Sequence, residues 1–315
     1  MFQRQPAQDF KPSGKQFVYG KQRLLLADCF DWLGRAEPDS IHAVITDPPY
    51  GLVEFLPEQQ EKLRAGRGGV WRIPPSFDGA HRRALPRFTV LSADQRLALV
   101  DFFTRWGSAL KRVLRPGAHV FVATNPLLSP LLSYALEQAG LERRGEIVRL
   151  VRTFRGGDRP KGAEKEFKLV STMPRSCWEP WALFRKSLRE RTVSENLRTW
   201  GTGGLRRISM QTPFLDLIQS STTPDVERQL AQHPSVKPQH FLRQLVRAAL
   251  PLGRGVILDP FAGSGTTLAA CEHAGVRGIG TEIDPYYFEI AKTAIPDLAK
   301  MKAPLGRRQP FLPGL

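Results

Sequence analysis

Ile41-His42-Ala43-Val44-Ile45-Thr46-Asp47-Pro48-Pro49-Tyr50 is the stretch whose reading decides the fold, and it has a counterpart near the other end of the chain. That counterpart is Val256-Ile257-Leu258-Asp259-Pro260-Phe261-Ala262-Gly263-Ser264-Gly265-Thr266-Thr267. Each begins as a short continuous apolar run and breaks into a turn. Runs of this kind suit parallel strands covered on both faces. In an open α/β sheet, ligands bind beyond the carboxyl ends of the strands. Both turns are therefore candidate parts of a ligand site.

Working outward, Arg23–Ala27 and Ala118–Ala123 read as further buried strands. Leu97, Val100, Phe103, Trp106, Leu110 and Leu114 recur at helical spacing, so Ala93–Leu114 is expected as a helix stopped by Arg115-Pro116-Gly117. Helices are also expected over Leu127–Ala139, Pro238–Leu250, Gly265–Ala274 and Asp284–Ala294, with a strand over Arg277–Thr281. This alternation is that of a doubly wound α/β sheet. It is interrupted twice. Residues 51–90, rich in Gly, Pro and Arg, lose all period and read as a mobile loop over the first turn. Residues 145–232 are polar and Arg-, Gly- and Pro-rich, and read as an inserted region. The expected organisation is a first half at 20–144, the insert at 145–232, a second half at 233–300, and flexible tails at 1–19 and 301–315.

With 41% hydrophobic residues over 315 positions the chain can bury a substantial core, which excludes wholesale disorder. Its 46 Lys and Arg against 30 Asp and Glu give a formal charge of +16. The excess is clustered: residues 143–207 hold 17 basic against 7 acidic residues, so +10 of the +16 falls there. Such clustering points to a polyanionic partner rather than to general solubility. Arg175, Arg185, Lys186, Arg189, Arg198, Arg206 and Arg207, interleaved with Trp178, Trp181 and Trp200, are the candidate nucleic-acid contacts. Cys29, Cys177 and Cys271 are scattered, without metal-ligand spacing, so no metal site is expected. The scattered thiols suit a reducing compartment. No run reaches membrane-spanning length, and a cytoplasmic location is expected.

The chemistry of the two turns differs. Gly263 and Gly265 let the backbone approach a ligand, and the helix that follows offers N–H groups suited to a carboxylate or phosphate. The pattern lacks the third glycine of a dinucleotide fingerprint and the Gly-Lys pair of a P-loop. Glu282 ends the next strand, 17 residues after Gly265, where a carboxylate can accept both hydroxyls of a ribose. In the other turn, two prolines stiffen the backbone after Asp47. The Asp47 carboxylate and the Pro48 carbonyl then make two neighbouring acceptors, matched to the two donors of an exocyclic amino group. Tyr50 offers a face on which a base can stack. A structural Pro-rich turn with a capping Asp would use the same four residues.

Together, Asp47–Tyr50 and Phe261–Gly265 resemble the amino-group DNA methyltransferases that use S-adenosylmethionine. The order here, with the Asp-Pro-Pro-Tyr motif first, then an insert, then the glycine turn, is similar to the permuted β group of that family. His233-Pro234-Ser235-Val236-Lys237-Pro238 is similar to the family segment against the methionine end of the cofactor, and Asp28 to the residue contacting its adenine. The resemblance implies a Rossmann-like doubly wound sheet, circularly permuted, with 145–232 as target-recognition region. It implies Asp47, Pro48, Pro49 and Tyr50 as catalytic residues. It implies Asp28, Ser235, Lys237, Asp259, Phe261, Ala262, Gly263, Ser264, Gly265, Thr266 and Glu282 as the S-adenosylmethionine site, with no metal. The implied reaction is methylation of adenine N6 in double-stranded DNA after the base leaves the helix. Cytosine N4 is the alternative on the same scaffold. An RNA base methyltransferase and a catalytically silent DNA-binding protein stand further off. A homodimer and a cognate restriction endonuclease are partners the resemblance leaves open.

Overall fold

In a computed structural model of the chain, residues 14–49, 91–151, 157, 159–233 and 235–302 are described. Tyr50 and the expected loop 51–90 lie outside them. The described residues build one nine-stranded sheet in the order β1-β2-β9-β8-β3-β4-β6-β5-β7. The strands are β1 (Gln16–Tyr19), β2 (Gln22–Leu26), β3 (Ile41–Thr46), β4 (Leu114–Ala123), β5 (Glu142–Leu150), β6 (Trp178–Arg185), β7 (Leu217–Gln219), β8 (Val256–Asp259) and β9 (Arg277–Glu282). β2, β9, β8, β3 and β4 run parallel; β6 is antiparallel to both β4 and β5. The strand order reverses between β8 and β3, the two strands that end in the motifs.

The faces of the sheet follow from strand alternation. Val44, Val120, Val122, Ala182 and Phe184 point to one side, against α1 (Cys29–Arg35), α2 (Ala93–Val113) and α3 (Ser129–Gln138). Ala43, Ile45, Phe121, Ala123, Trp181 and Leu183 point to the other, against α6 (Gln239–Ala249). α7 (Thr266–His273) and α8 (Pro285–Lys300) complete that side over β2 and β8. α2 starts at a reciprocal capping box between Ser92 and Gln95, which satisfies two backbone donors that would otherwise be orphaned. Its buried stripe is Leu99, Phe103, Trp106 and Leu110; of the expected stripe, Leu97 is exposed and Val100 half-buried. Each such fully buried side chain contributes about 1.5–3 kcal/mol.

Three expectations need correction. The text from 145 to 232 is not set apart from the sheet: β6 lies between β4 and β5, and β7 closes the far edge. Trp181 is wholly buried, its ring 5.2 Å from that of Phe241, so this tryptophan anchors the main core. At the amino end, Gln16–Tyr19 is not part of a tail but pairs with β2. The last helix does not stop at Ala294; it runs through Pro296 to Lys300, because Ala294, Ile295, Leu298 and Ala299 are buried against its neighbours. α4 (Val193–Trp200) and α5 (Asp225–Leu230) are short helices between β6 and α6.

Candidate active site

The carboxyl ends of β2, β9, β8 and β3 lie side by side, and each carries an acidic residue at or just beyond its last position: Asp28, Glu282, Asp259 and Asp47. The two motifs meet directly. Thr46 Oγ1 donates to Asp259 Oδ1 at 2.7 Å, bridging β3 and β8 at the point where the strand order reverses. A second connection runs through the segment before α6. The Asp47 carboxylate accepts from both Ser235 Oγ and Lys237 Nζ, and these two lie 2.9 Å apart. The Ser235 N–H donates to His233 Nδ1 at 3.1 Å, and the His233 ring covers Gly263, where an added Cβ would sit 3.1 Å from Nε2. Burial lowers the His233 pKa to about 4, so the ring is neutral at pH 7. Since Nδ1 accepts, the proton resides on Nε2, facing the glycine turn.

The glycine turn is tied to its neighbours by backbone. Ala262 N–H donates to Thr281 O, Gly263 N–H to Glu282 Oε2 at 2.7 Å, and Phe261 N–H to Asp259 Oδ1 at 3.2 Å. Gly263 and Gly265 take φ of +52° and +77°, which only glycine adopts without strain. A Cβ on Gly265 would also lie 2.5 Å from Ile295 Cγ1, so this glycine serves close packing of the turn on α8. α7 begins directly after it without a side-chain cap. Its first amide groups are therefore available to an anionic group. The Phe261 ring is 5.6 Å from Trp106 and 6.4 Å from Phe102, so it fastens the turn to α2. Thr266 presents its carbonyl to Gln239 Nε2 at 2.8 Å, which fixes α6 on α7. Ala262 and Ser264 are buried within the turn.

Two carboxyls of this rim are raised by burial. Burial pushes the Asp259 carboxyl up to about 6, opposed by hydrogen bonds from Thr46, Thr267 and the Phe261 N–H and assisted by the charge of Asp47. Burial also raises Glu282, against donation from the Asp284 and Gly263 N–H groups. Asp28 caps α1, its Oδ1 accepting from the Phe30 N–H at 2.7 Å. It stands beside Glu282, whose carbonyl accepts from Ala27 N–H at 2.9 Å. Lys237 is 7% and Asp47 15% exposed in the side chain, so their ion pair is nearly dry. Ser235 and Lys237, expected from the resemblance at the cofactor, both reach the Asp47 carboxylate. No spacing in the sequence signals this, because the two segments lie 188 and 190 residues away from Asp47. Pro48 and Pro49 follow directly, Pro48 lining a cavity with Ala123, Thr124, Leu128, Leu99, Phe103 and Leu132. Burial pushes the Cys29 thiol up to about 12 and raises Cys271 as well, so both are protonated.

The expected nucleic-acid contacts fall at two opposite ends of the sheet. β6 runs against β4, and Arg185 pairs in register with His119, towards the amino end of β4. There Arg185 binds Glu142 at 2.7 Å, and Lys186 and Arg189 bind Asp39 at 2.8 and 3.1 Å. Arg189 also stacks 4.7 Å over Trp200. These three side chains are held in ion pairs at the end of the sheet opposite the Asp47 rim. Arg206 lies against Gly253, just before the amino end of β8; Arg207 binds the carbonyls of Ser209 and Gln211; Arg198 is exposed on α4. α4 in turn is fixed to Pro116, at the start of β4, by Asn196. Only Arg175 lies in a connection at the carboxyl end.

Residues 41–293 match the model of the N6_N4_Mtase family, described as DNA methylase. The chain is 24% identical over 277 residues to the type II methyltransferase M2.DpnII of Streptococcus pneumoniae, covering 87% of this chain and 90% of that one. It is 22% identical over 279 residues to M.HindIII of Haemophilus influenzae, covering 82% and 89%. Among solved structures, PvuII DNA methyltransferase, cytosine-N4-specific, superposes with a TM-score of 0.58 at 13% identity over 91% of this chain and 94% of that one. The M1.HpyAVI–SAM complex does so with 0.53 at 16% identity over 87% and 98%. Two motifs at adjoining strand ends, a sheet shared with these structures and a match over most of the length agree: the chain belongs to the N6_N4_Mtase family of S-adenosylmethionine-dependent DNA methylases, which act on a base amino group.

Proposed function

We propose that this chain methylates the N6 amino group of adenine in double-stranded DNA, with cytosine N4 as the second reading. The observation that carries the proposal is the convergence of Asp47 and the glycine turn on one rim, through Thr46–Asp259 and through Ser235–His233. S-adenosylmethionine supplies the methyl group when bound at this rim. The residues fit it: the uncapped start of α7 suits its carboxylate, and Glu282 at the end of β9 suits its ribose hydroxyls. Asp28, next to Glu282, would meet the adenine. The acidic rim favours a cationic donor over a phosphorylated one.

Asp47 and the Pro48 carbonyl would accept the two amino hydrogens of the base. This draws the nitrogen towards tetrahedral geometry and directs its lone pair towards the glycine turn. Alkylation makes that nitrogen cationic and acidic, so Asp47 need be only a weak base. Lys237 and Ser235 hold the carboxylate in place, and placement with electrostatics supplies most of the acceleration. Aspartate at position 47 is the family's leaning towards adenine, which sets the order of the two readings.

The test is labelled-methyl incorporation into duplex DNA, followed by nuclease digestion and mass identification of the methylated nucleoside. Asp47→Ala is expected to abolish incorporation and to leave S-adenosylmethionine binding, read by calorimetry, intact. Incorporation persisting in that variant sinks the assignment. N4-methylcytosine in the digest replaces the first reading by the second.

A further inference from the structure

We propose that the connection between β5 and β6, residues 159–175, is the element that grips DNA beside the extruded base, with Leu169 as a wedge into the space that base leaves. The inference rests on the function proposed above. β5 is antiparallel to β6, and β6 to β4, so this connection emerges at the carboxyl end of β4, on the same rim as Asp47. The rest of the basic text, at 185–207, leaves from the opposite end.

The connection is built as a folded loop. Val151 N–H donates to Cys177 O at 3.0 Å and Gly157 N–H to Met173 O at 2.9 Å, closing its base. Arg175 packs on Gly157. Successive turns (Ala163 to Pro160, Phe167 to Ala163, Val170 to Phe167) shape its outer part. It carries Arg159, Lys161, Lys165, Lys168 and Arg175 against Glu164 and Glu166, a net +3. Amid these cations it exposes Phe167, Val170, Met173 and, at 101% exposure, Leu169.

An apolar side chain left wholly in water forgoes its burial energy, and a cluster of them marks a contact surface. Charge decides the occupant. A second copy of this chain carries +16 and is repelled, whereas duplex DNA is attracted to the lysines. Base extrusion leaves an apolar gap in the stack, and leucine is among the side chains that proteins insert between base steps.

The experiment uses the full chain and a duplex carrying the site that methylation sequencing identifies, alongside the same duplex mispaired at the target base. Affinity is read by fluorescence anisotropy over a salt series, and transfer by labelled-methyl incorporation. The triple variant Lys161→Ala, Lys165→Ala, Lys168→Ala is expected to weaken binding at least ~10-fold and to lower the slope of log K against log salt by about 3, near 0.9 for each phosphate no longer neutralised. Leu169→Ala is expected to slow transfer to the paired duplex by roughly 10-fold while the mispaired duplex, whose base is already loose, loses less than about 2-fold. The pair Arg198→Ala, Arg207→Ala is expected to keep wild-type affinity. Wild-type affinity and slope in the triple variant overturn the proposal. So does equal loss of transfer on both duplexes in Leu169→Ala, or weakening by Arg198→Ala, Arg207→Ala as large as that of the triple. A wild type that incorporates no methyl refutes the proposed function instead, while the affinity series still judges the loop.

Discussion

Replacing Asp259 by Asn is expected to stabilise this protein, although the residue lies at the centre of the site. Its carboxyl is raised from 3.8 to about 6, chiefly because burial penalises the charged form. A difference of about 2 pKa units at 1.36 kcal/mol each amounts to about 3 kcal/mol. The sign follows from which state releases its proton first. Below pH ~4 both states are protonated and the group costs nothing. As pH rises from about 4 to about 6 the unfolded chain ionises first, so the native state loses its advantage, and above pH ~6 the loss is complete. Asparagine cannot ionise, and its Oδ1 can still accept from Thr46 Oγ1 and the Phe261 N–H, which Asp259 Oδ1 does at 2.7 and 3.2 Å. Urea unfolding of wild type and Asp259→Asn at matched pH reads the difference directly, and other titrating groups cancel in it. The variant's advantage should be near zero at pH ~4 and grow to about 3 kcal/mol by pH ~7. A pH-independent difference, or a wild type more stable at neutral pH, would refute the reasoning.

Two further outcomes test the packing of the site. Lys237→Met strips the nearly dry Asp47 carboxylate of its cation and is expected to cost about 3 kcal/mol of stability, with Lys237→Arg recovering part of it in the same denaturant titration; a loss below ~1 kcal/mol would mean the pair is dispensable. Gly265→Ala combines a left-handed backbone with a methyl 2.5 Å from Ile295 Cγ1, so a loss of about 2–4 kcal/mol is expected in thermal or urea unfolding, and the additional change Ile295→Val should recover part of it.

What the sequence reveals here is set by how local each signal is. β3 and β8 end where their apolar runs end, and Phe103, Trp106 and Leu110 of the expected stripe are buried along α2, whereas Leu97 at its start is exposed. β6 escapes detection because Pro180 interrupts Trp178–Arg185 and charged text surrounds it, yet the residues that follow it pack on both faces of the sheet. Pro180 is tolerated near the start of the strand, where its carbonyl accepts from the Thr124 N–H. The roles of Ser235 and Lys237 are invisible for a different reason: their partner is distant in sequence and local patterns carry no record of it. The arginines illustrate a third limit. Composition finds the cluster at 143–207 but cannot tell to which end of the sheet a residue is carried. That depends on the direction of β6, and the antiparallel course of this one strand sends Arg185, Lys186 and Arg189 to the far end.

The distribution of charge over the rim explains how one protein can handle a cationic donor and a polyanion at the same place. Asp28, Glu282, Asp259 and Asp47 stand in a row across four adjoining strand ends, inside a chain whose overall charge is +16. A row of carboxylates attracts a cationic donor and repels phosphate. Among the described residues, the loop 159–175 brings exposed basic side chains to this end, emerging at the β5–β6 edge and not at the β2–β9–β8 end of the rim. A duplex held by that loop, as proposed, would be kept off the carboxylates by its own charge. Only a neutral part of it can enter, and an extruded base is the neutral part. Adenine and cytosine each present an amino group to Asp47 once there. In the proposed reaction the same carboxylates would stabilise the positive charge that appears on the amino nitrogen as it is alkylated, so that exclusion of phosphate and catalysis would be two consequences of one arrangement.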